Sequence, residues 1–341
     1  MGDGTTTESK QTLTRIRYEF VLEADTPIAH HSENIGNESI AMRRKVRQRD
    51  GWAFVPIVTA DTMRHGMREA SAYALLDALG MVDNPQLSEA ALRLLFAGGA
   101  VSGGDGAGTV NLDAYRELCE LVPSMALLGG CATNRIVPGR LSVEDATLIC
   151  QESRGFVTGR AAEWADERYG DLASAREHIE EEQRVRMDPT LSPEKRKLLT
   201  DGEQVKAANR LAAHERASVS AEHAEKDKEK SSMMPRRFER VAQGSLFFWA
   251  IQANCYTPLE VDTLHVSCAA FLSNAVVGGK RGTGHGRLRA VKGWGLELAR
   301  PRESVTDADP SALAPSMGAL FRGHVEARKS RIVDFLKSVD A

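Results

Sequence analysis

The segment from Gly278 to Arg289 constrains the fold of this chain most, because it joins glycine and positive charge in one short stretch. Its twelve residues include five glycines, four cations and one histidine, and none is acidic. Glycines this dense indicate backbone with positive φ, or backbone that lies close against another group. The cations indicate that this group is a polyanion, although a solvated surface hairpin is the alternative.

The flanks of this Gly-rich loop predict the order helix, loop, strand. Upstream, Thr257, Pro258 and Glu260 predict a helix start with a capping box, and downstream residues 288–298 predict a strand. Nucleotide-binding loops instead lead from a strand into a helix and use its positive N-terminus. Neither the Walker pattern nor the dinucleotide fingerprint fits the glycine spacing. A nucleotide-dependent enzyme is therefore not expected, and any anion must be held by the loop's own cations and amides.

Composition favours a globular protein with a sizeable core. The chain has 341 residues, 42% of them hydrophobic, and a net charge of −3, so an anion site has to be a local patch. Its five cysteines lack metal-site spacing and no histidine or acidic cluster replaces them, so we expect no metal and no cofactor. Without a secretory signal or a membrane-length apolar run, we expect a cytoplasmic protein that contacts no membrane.

Charge and periodicity divide the chain into segments. Residues 1–11 are polar and predicted to be disordered. Residues 12–160 and 236–300 form a discontinuous body, in which strands are predicted around residues 16–22 and 246–253. Residues 25–50 are predicted to be irregular, and a helix is predicted over about residues 60–79. Residues 161–235 are densely charged and predict a helical insertion without its own core. Residues 301–341 predict a C-terminal helix.

Without its insertions, the body is predicted as strand, helix, strand, followed by strand, helix, strand. This order predicts an α+β, ferredoxin-like fold, which many RNA-binding modules use. The aromatic RNA-stacking motif of those modules is absent. We therefore expect that any RNA is not held by bases stacked on an aromatic sheet face.

Three further segments are candidates for RNA contact. Residues 43–49 hold five cations and no acid, so these side chains cannot neutralise one another; a solvated loop is the alternative. Arg64 and Arg68, at i and i+4, share a helix face that either follows a phosphate track or faces solvent. Met233 and Met234, before Pro235, are either core residues or an apolar wedge that separates stacked bases.

Several motifs occur together in a recognisable order. Thr62, Arg64 and Arg68 match the serine, lysine and arginine of a Pro-x-x-x-x-Ser-Leu-Lys-Gly-x-Leu-Arg pattern, with the glycine displaced by one. Residues 34–39 match a loop after the first strand, and residues 278–286 match a Gly-Gly-x-x-x-x-Gly-x-Gly element. Residues 233–245 match a segment that leads back into the body of a fold from an insertion called the thumb. In this combination the chain resembles the RAMP superfamily of CRISPR-associated proteins, specifically the repeated backbone subunit of effector complexes in its type IV version.

The resemblance implies a ferredoxin-like palm with fingers and thumb as insertions, in a right-hand architecture. It implies a non-catalytic protein that polymerises along single-stranded guide RNA (crRNA). Its partners would be further copies of itself, the cap and small helical subunits of the complex, and target nucleic acid paired to the guide. The residues expected to contact RNA are Asn34, Asn37, Ser39, Arg43, Arg44, Lys45, Arg47, Thr62, Arg64, His65, Arg68, Met233, Met234, Arg236, Arg237, Gly279, Lys280, Arg281, Gly282, Thr283, Gly284 and His285.

An enzymatic alternative rests on histidines at positions 30, 31, 65 and 285. Metal-independent ribonucleases use histidine as general acid or base, and RAMP endonucleases that process guide RNA also carry a terminal Gly-rich loop. Some related backbone subunits cut target RNA with an aspartate in the loop after the first strand, where this chain offers Glu33 and Glu38. We expect no catalysis, and a guide-processing endoribonuclease is the alternative.

Overall fold

The computed structural model describes residues 13–35, 37–83, 87–99, 112–132, 135–186, 234–298, 303–307 and 318–339. The fold is α+β with antiparallel sheets, as the sequence predicts at this level. The chain divides into two compact units, a larger one of Met1–Ser32, Ala41–Glu180 and Arg240–Ala341, and a smaller one of Glu33–Ile40 and Glu181–Glu239.

The elements are numbered in chain order. The strands are β1 (Thr14–Ala24), β2 (His31–Ile35), β3 (Glu38–Ala41), β4 (Arg43–Gln48), β5 (Gly51–Val58), β6 (Gly130–Ala132), β7 (Arg135–Val137), β8 (Leu141–Val143), β9 (Ala146–Leu148), β10 (Ile179–Arg186), β11 (Met234–Val241), β12 (Leu246–Cys255), β13 (Ala275–Val276), β14 (Arg287–Leu298) and β15 (Glu303–Asp307). The helices are α1 (Ala60–Ala78), α2 (Glu89–Leu92), α3 (Leu112–Leu121), α4 (Pro123–Leu128), α5 (Gly159–Tyr169), α6 (Pro258–Ser273), α7 (Ala319–Ala327) and α8 (Lys329–Ser338).

The main sheet lies in the larger unit, and β1 is near its centre. Its strand order is β13-β14-β1-β12-β9-β5-β4, with β8 also paired to β12 and β15 to β14. β1 runs antiparallel to β12, from Thr14↔Cys255 to Glu23↔Leu246, and antiparallel to β14 on its other side. The predicted strands around residues 16–22, 246–253 and 288–298 are confirmed as β1, β12 and β14.

Helices α1 and α6 belong to the core on one side of this sheet. Phe20 and Trp249 stack there with ring centroids 5.6 Å apart, and Trp249 meets Phe271 of α6 edge-on at 5.5 Å. Burying each such side chain is worth about 1.5–3 kcal/mol. Gly66 of α1 permits this approach, because a Cβ there would lie 2.6 Å from the Phe271 ring.

The opposite sheet face is also buried at its centre. Val21 of β1 and Phe248 of β12 form a separate hydrophobic cluster with Ala161, Ala162 and Ala165 of α5. These three alanines repeat at helical spacing, and their small size lets α5 lie close to the strands. This part of the sheet is therefore closed to a ligand.

A third cluster is helical and joins the second half of α1 to α2, α3, α4, α7 and α8. The sequence predicts one C-terminal helix, but the structure has α7 and α8, separated at Arg328, which leaves helical geometry with φ −117° and ψ 13°. Asp262 of α6 accepts from the amides of Gly318 (2.7 Å) and Phe321 (2.8 Å) and so caps the first turn of α7.

The sequence prediction is wrong for residues 25–50 and for part of the charged insertion. The first segment forms β2, β3 and β4, and residues 179–186 of the second form β10 instead of a helix. Strands β10, β11, β3 and β2 make a separate sheet, in that order, largely in the smaller unit. These strands carry few apolar residues and show no alternating apolar pattern from which a strand could be predicted. Their extended conformation is therefore decided by pairing with neighbouring strands.

Candidate nucleic-acid interface

A short stretch after β1 supports three of the segments predicted to contact RNA. The amide of Gly279 donates to the carbonyl of Ala29 at 2.7 Å. The carbonyl of His30 accepts from the amide of Met42 at 2.7 Å, and its Nε2 accepts from the amide of Thr59 at 3.3 Å. The Gly-rich loop, the start of β4 and the start of α1 therefore converge on two consecutive residues.

Two glycines are required where the Gly-rich loop closes. Gly278 has φ +74°, and a Cβ there would lie 2.7 Å from the Ala29 carbonyl oxygen. Gly286 has φ +92°, and its Cβ would lie 2.0 Å from the Val277 carbonyl oxygen. Both positions combine a left-handed backbone with close approach, which only glycine tolerates without strain.

The tip of the loop is exposed and built by local hydrogen bonds. Lys280 has φ +59° and is the one non-glycine residue of the described chain with positive φ. Its carbonyl accepts from the amide and from the hydroxyl of Thr283, each at 2.9 Å. Arg281, Gly282, Thr283 and Gly284 are exposed, so four of the predicted contact residues are available to a ligand.

The loop tip lies beside α1. The Arg281 guanidinium is 3.7 Å from the carboxylate of Glu69, and both side chains are more than a third exposed. Thr62 and His65 precede Glu69 at helical spacing and therefore share its side of α1. An exposed ion pair is worth only about 0–1 kcal/mol, so Arg281 can exchange Glu69 for a phosphate at little cost.

His285 has a different position from the rest of the loop. It is only 7% exposed, and its Nδ1 meets no hydrogen-bond partner among the described residues. The prediction that His285 contacts RNA directly is therefore not favoured by its position. Its burial suits a role in holding the loop on the body.

Arg44 faces away from the other cations of β4. It pairs with Asp145, a mostly buried residue whose Oδ1 accepts from the amide of Ala60 at 2.7 Å. Asp145 thereby caps the N-terminus of α1, where the helix dipole favours an anion. Because a carboxylate already occupies this helix end, it offers no free phosphate site.

Lys45 and Arg47 are exposed and both lie over the ring of Trp52 on β5. The Lys45 Nζ is 4.8 Å and the Arg47 Cζ 5.4 Å from the ring centroid. The sequence prediction missed Trp52 and its neighbour Phe54. The missed signal is the Asp-Gly dipeptide at residues 50–51, which is typical of a hairpin. The turn in the structure is residues 49–50, and residues 43–48 lie opposite residues 51–56.

Arg64 and Arg68 bind backbone instead of facing solvent. Arg64 donates to the carbonyls of Leu128 (2.5 Å) and Leu141 (2.9 Å), and Arg68 donates to those of Leu128 and Gly129, both at 2.9 Å. These carbonyls include the C-terminal end of α4, the negative end of its dipole. Burial, and to a smaller extent the positive charge of Arg64, lower the pKa of Arg68 to about 10.

The burial of Arg68 makes it a poor RNA contact. Only 8% of its surface is exposed, and its donors are directed at carbonyl groups within the protein. Neither sequence interpretation, a phosphate track or a solvated face, describes this residue. Arg64 is half-buried, and its donors are likewise directed at carbonyl groups within the protein.

The described contacts predicted at residues 34–39 and 234–237 fall in the smaller unit, in its sheet or in the turn between β2 and β3, while Arg43 is the first residue of β4 in the larger unit. The carbonyl of Asn37 accepts from the amide of Arg237 at 2.9 Å, and the Arg237 side chain is 3.6 Å from Glu38. Arg236 and Arg237 are exposed on β11. Asn34 is in β2, Ser39 in β3 and Met234 at the start of β11, while Met233 lies outside the described residues.

Within the described residues, no group of histidine, cysteine or acidic residues is arranged to hold a metal ion. No helix in the same ranges has the length and apolar character needed to span a bilayer.

The comparisons with known proteins show similarity to solved structures but none at the level of sequence. No protein-family model matches the sequence, and no curated protein matches it. Among solved structures, the chain is similar to one described as "Type IV-B CRISPR Complex", with a TM-score of 0.49 and 14% identity. The similarity covers 89% of this chain and 99% of that chain. These values are too low to assign a family, so function has to be argued from the residues themselves.

Proposed function

We propose that this chain is a non-catalytic backbone subunit that binds guide RNA in a CRISPR ribonucleoprotein of the type IV kind, with successive copies along the RNA. The observation that carries the proposal is the convergence on Ala29 and His30. Segments far apart in sequence, each predicted to contact RNA, are joined there by hydrogen bonds of 2.7–3.3 Å. Such convergence brings the three segments together, as one binding surface requires.

The strand order supports a ferredoxin-like palm as part of this proposal. In that fold the first strand lies between the last and the third, antiparallel to both, and the second strand pairs with the third. β1 lies between β14 and β12, and β12 also pairs with β8 and β9. The helices after the first and third strands are α1 and α6. Within residues 161–235, the part after α5 would correspond to the thumb, because α5 packs on the main sheet. The remaining insertions would correspond to fingers.

The proposed mode of binding is contact with phosphates. Lys45, Arg47 and Arg281 are exposed cations on elements that share the support described above. Phosphate contacts supply affinity without reading sequence, which suits a protein that holds guides of any sequence. Bases that are not held by the protein are then available to pair with the target strand.

The absence of catalysis is part of the proposal. Burial lowers the pKa of His30 and so favours the neutral imidazole. Its Nε2 already accepts a hydrogen bond from the Thr59 amide, so this nitrogen is not available to accept a proton from a substrate. His285 is buried within its loop. For the alternative, a guide-processing endoribonuclease, His31→Ala or His65→Ala would abolish cleavage of a repeat hairpin; we expect the wild-type protein to cleave none.

The test is RNA binding by the purified protein. We expect it to carry RNA, with a high ratio of absorbance at 260 to 280 nm, and to bind single-stranded RNA at low salt. Lys280→Ala with Arg281→Ala should weaken binding equally across sequences and reduce the slope of log affinity against log salt by about 0.7 per lost contact.

A matched control removes two exposed cations elsewhere. Arg328→Ala with Arg331→Ala deletes residues paired to Glu117 and Glu120 in the helical cluster, and we expect it to leave RNA affinity within twofold. Folded wild-type protein that ignores RNA at low salt would contradict the proposal. A sequence-selective loss in the Lys280/Arg281 variant would contradict phosphate contact.

A further inference from the structure

The hairpin of β4 and β5 exposes two large aromatic side chains side by side. Trp52 is 57% and Phe54 59% exposed, although both lie within a paired strand. Alternate residues of a strand face the same side, about 6.6 Å apart along it. Two rings at this spacing form a continuous apolar surface in contact with water.

The opposite strand adds positive charge to the same surface. Arg47 is paired with Trp52 and Lys45 with Phe54 across the antiparallel ladder, so all four side chains share one face. Between residues 43 and 56 there are five cations and one acid, Asp50 at the turn. The apolar rings are thus bordered by groups that attract an anion.

The hairpin is held firmly at both ends of its strands. The last residues of β5 pair with β9 of the main sheet, Ile57 with Thr147 and Val58 with Ala146. Near the turn, the Gln48 side-chain amide donates to the carbonyl of Glu152 at 2.7 Å. Val46 and Val55, on the inner face, belong to the main core. The outer face is therefore a rigid platform.

Single-stranded nucleic acid fits this combination best. Its bases are flat and apolar on their faces, every base can stack on an aromatic ring, and its phosphates need cations nearby. A protein partner would satisfy the rings but would need its own acids for Lys45 and Arg47. The alternating rings and cations match the repeat of base and phosphate.

We propose that the outer face of the β4–β5 hairpin binds single-stranded nucleic acid by stacking bases on Trp52 and Phe54. Lys45 and Arg47, which lie over the Trp52 ring in the free protein, then move to the phosphates as a base takes their place. This inference rests on the proposed RNA-binding function and deepens it, because it adds base contacts to a subunit proposed to hold phosphates. It also replaces the expectation, drawn from the missing RNA-stacking motif, that no aromatic sheet face takes part.

The experiment compares intact single-stranded RNA with an abasic strand of equal length. We expect Trp52→Ala and Phe54→Ala each to weaken binding of intact RNA roughly tenfold, the effect of losing one stacked base. On the abasic strand these variants and the wild type should bind equally, because no base remains to stack. The salt slope should stay unchanged in both variants, whereas Lys45→Ala with Arg47→Ala should lower it.

Controls separate stacking from other causes. Tyr169→Ala removes another half-exposed aromatic residue and should not change RNA affinity, and Trp52→Phe should retain most of it. Equal wild-type affinity for intact and abasic strands would overturn the stacking proposal while leaving RNA binding intact. Loss of self-association in RNA-free Trp52→Ala, without loss of RNA affinity, would assign the platform to a second copy and overturn it. Failure of the wild type to bind either strand would refute the proposed function itself.

Discussion

Arg64 and Arg68 on α1 differ instructively from Lys45 and Arg47 on β4. The sequence predicts RNA contact for both pairs, yet the first pair donates to buried carbonyls and the second is exposed beside Trp52. Helical spacing places two residues on one face but does not say what that face meets. In β4, the alternation of side chains places Lys45 and Arg47 on one face of the hairpin. The exposed residues opposite them on β5 show that this face meets solvent. A cation whose donors are held by buried carbonyls, as in Arg68, is a poor candidate for RNA contact, whereas the exposed Lys45 and Arg47 remain candidates.

The largest expected effect is on stability, from Arg68→Ala. The Gly129 carbonyl would lose its arginine donor and the Leu128 carbonyl one of its two, in a buried setting. About 3 kcal/mol of unfolding free energy should be lost. Urea unfolding measures this change. Arg68→Lys should recover only part, because an ammonium cannot reproduce the two-pronged contact. A stable Arg68→Ala protein with weakened RNA binding would reverse our assignment of this arginine.

A smaller loss is expected where the Gly-rich loop closes. Gly286→Ala forces a Cβ toward the Val277 carbonyl at positive φ and should cost about 2 kcal/mol. Gly282→Ala is the matched control, since nothing lies within 4 Å of its Cβ position. Equal thermal stability of the two variants would show that the closure of the loop is not as described.

Acidification should produce a gradual destabilisation through buried histidines. Burial lowers the pKa of His30, His178, His265 and His324 in the folded state. The unfolded chain then binds more protons, so this stability is complete above about pH 6.5 and is lost as pH falls toward the folded pKa values. His30→Gln keeps an acceptor for Thr59 and should make the pH dependence of urea midpoints shallower. A midpoint that rises on acidification would contradict this sign.

The smallest change in stability is expected for the exposed pair. Lys45→Ala with Arg47→Ala should alter the unfolding free energy by less than about 0.5 kcal/mol. Its effect should lie in RNA binding, where the salt slope falls by about 1.4 if both cations contact phosphates. An unchanged slope would remove the contrast between the two cation pairs.

The sequence predicts those helices and strands that are determined by the residues within them. α1 follows from apolar periodicity, and the start of α6 from Thr257, whose hydroxyl accepts the Glu260 amide at 3.2 Å. β1, β12 and β14 follow from apolar residues in runs or alternation. In each case the residues that define the element also form its hydrogen bonds or its buried face.

The elements and contacts that were missed depend on distant partners. The polar strands β2, β3, β4 and β10 form because another strand is available to pair, which their own residues do not announce. The burial of Arg68 requires the end of α4 to lie beside α1, more than 50 residues away in sequence. Trp52 was overlooked because the cationic segment was interpreted alone, without the strand that faces it.

The central claim, that copies of this chain coat RNA, is tested most directly by counting the chains bound to single-stranded RNAs of increasing length. Native mass spectrometry of the RNA-loaded protein measures this number. The account predicts that it rises by one chain for each constant increment of nucleotides, whatever the RNA sequence. A single chain per RNA at every length, or cleavage of the RNA during the measurement, would contradict it.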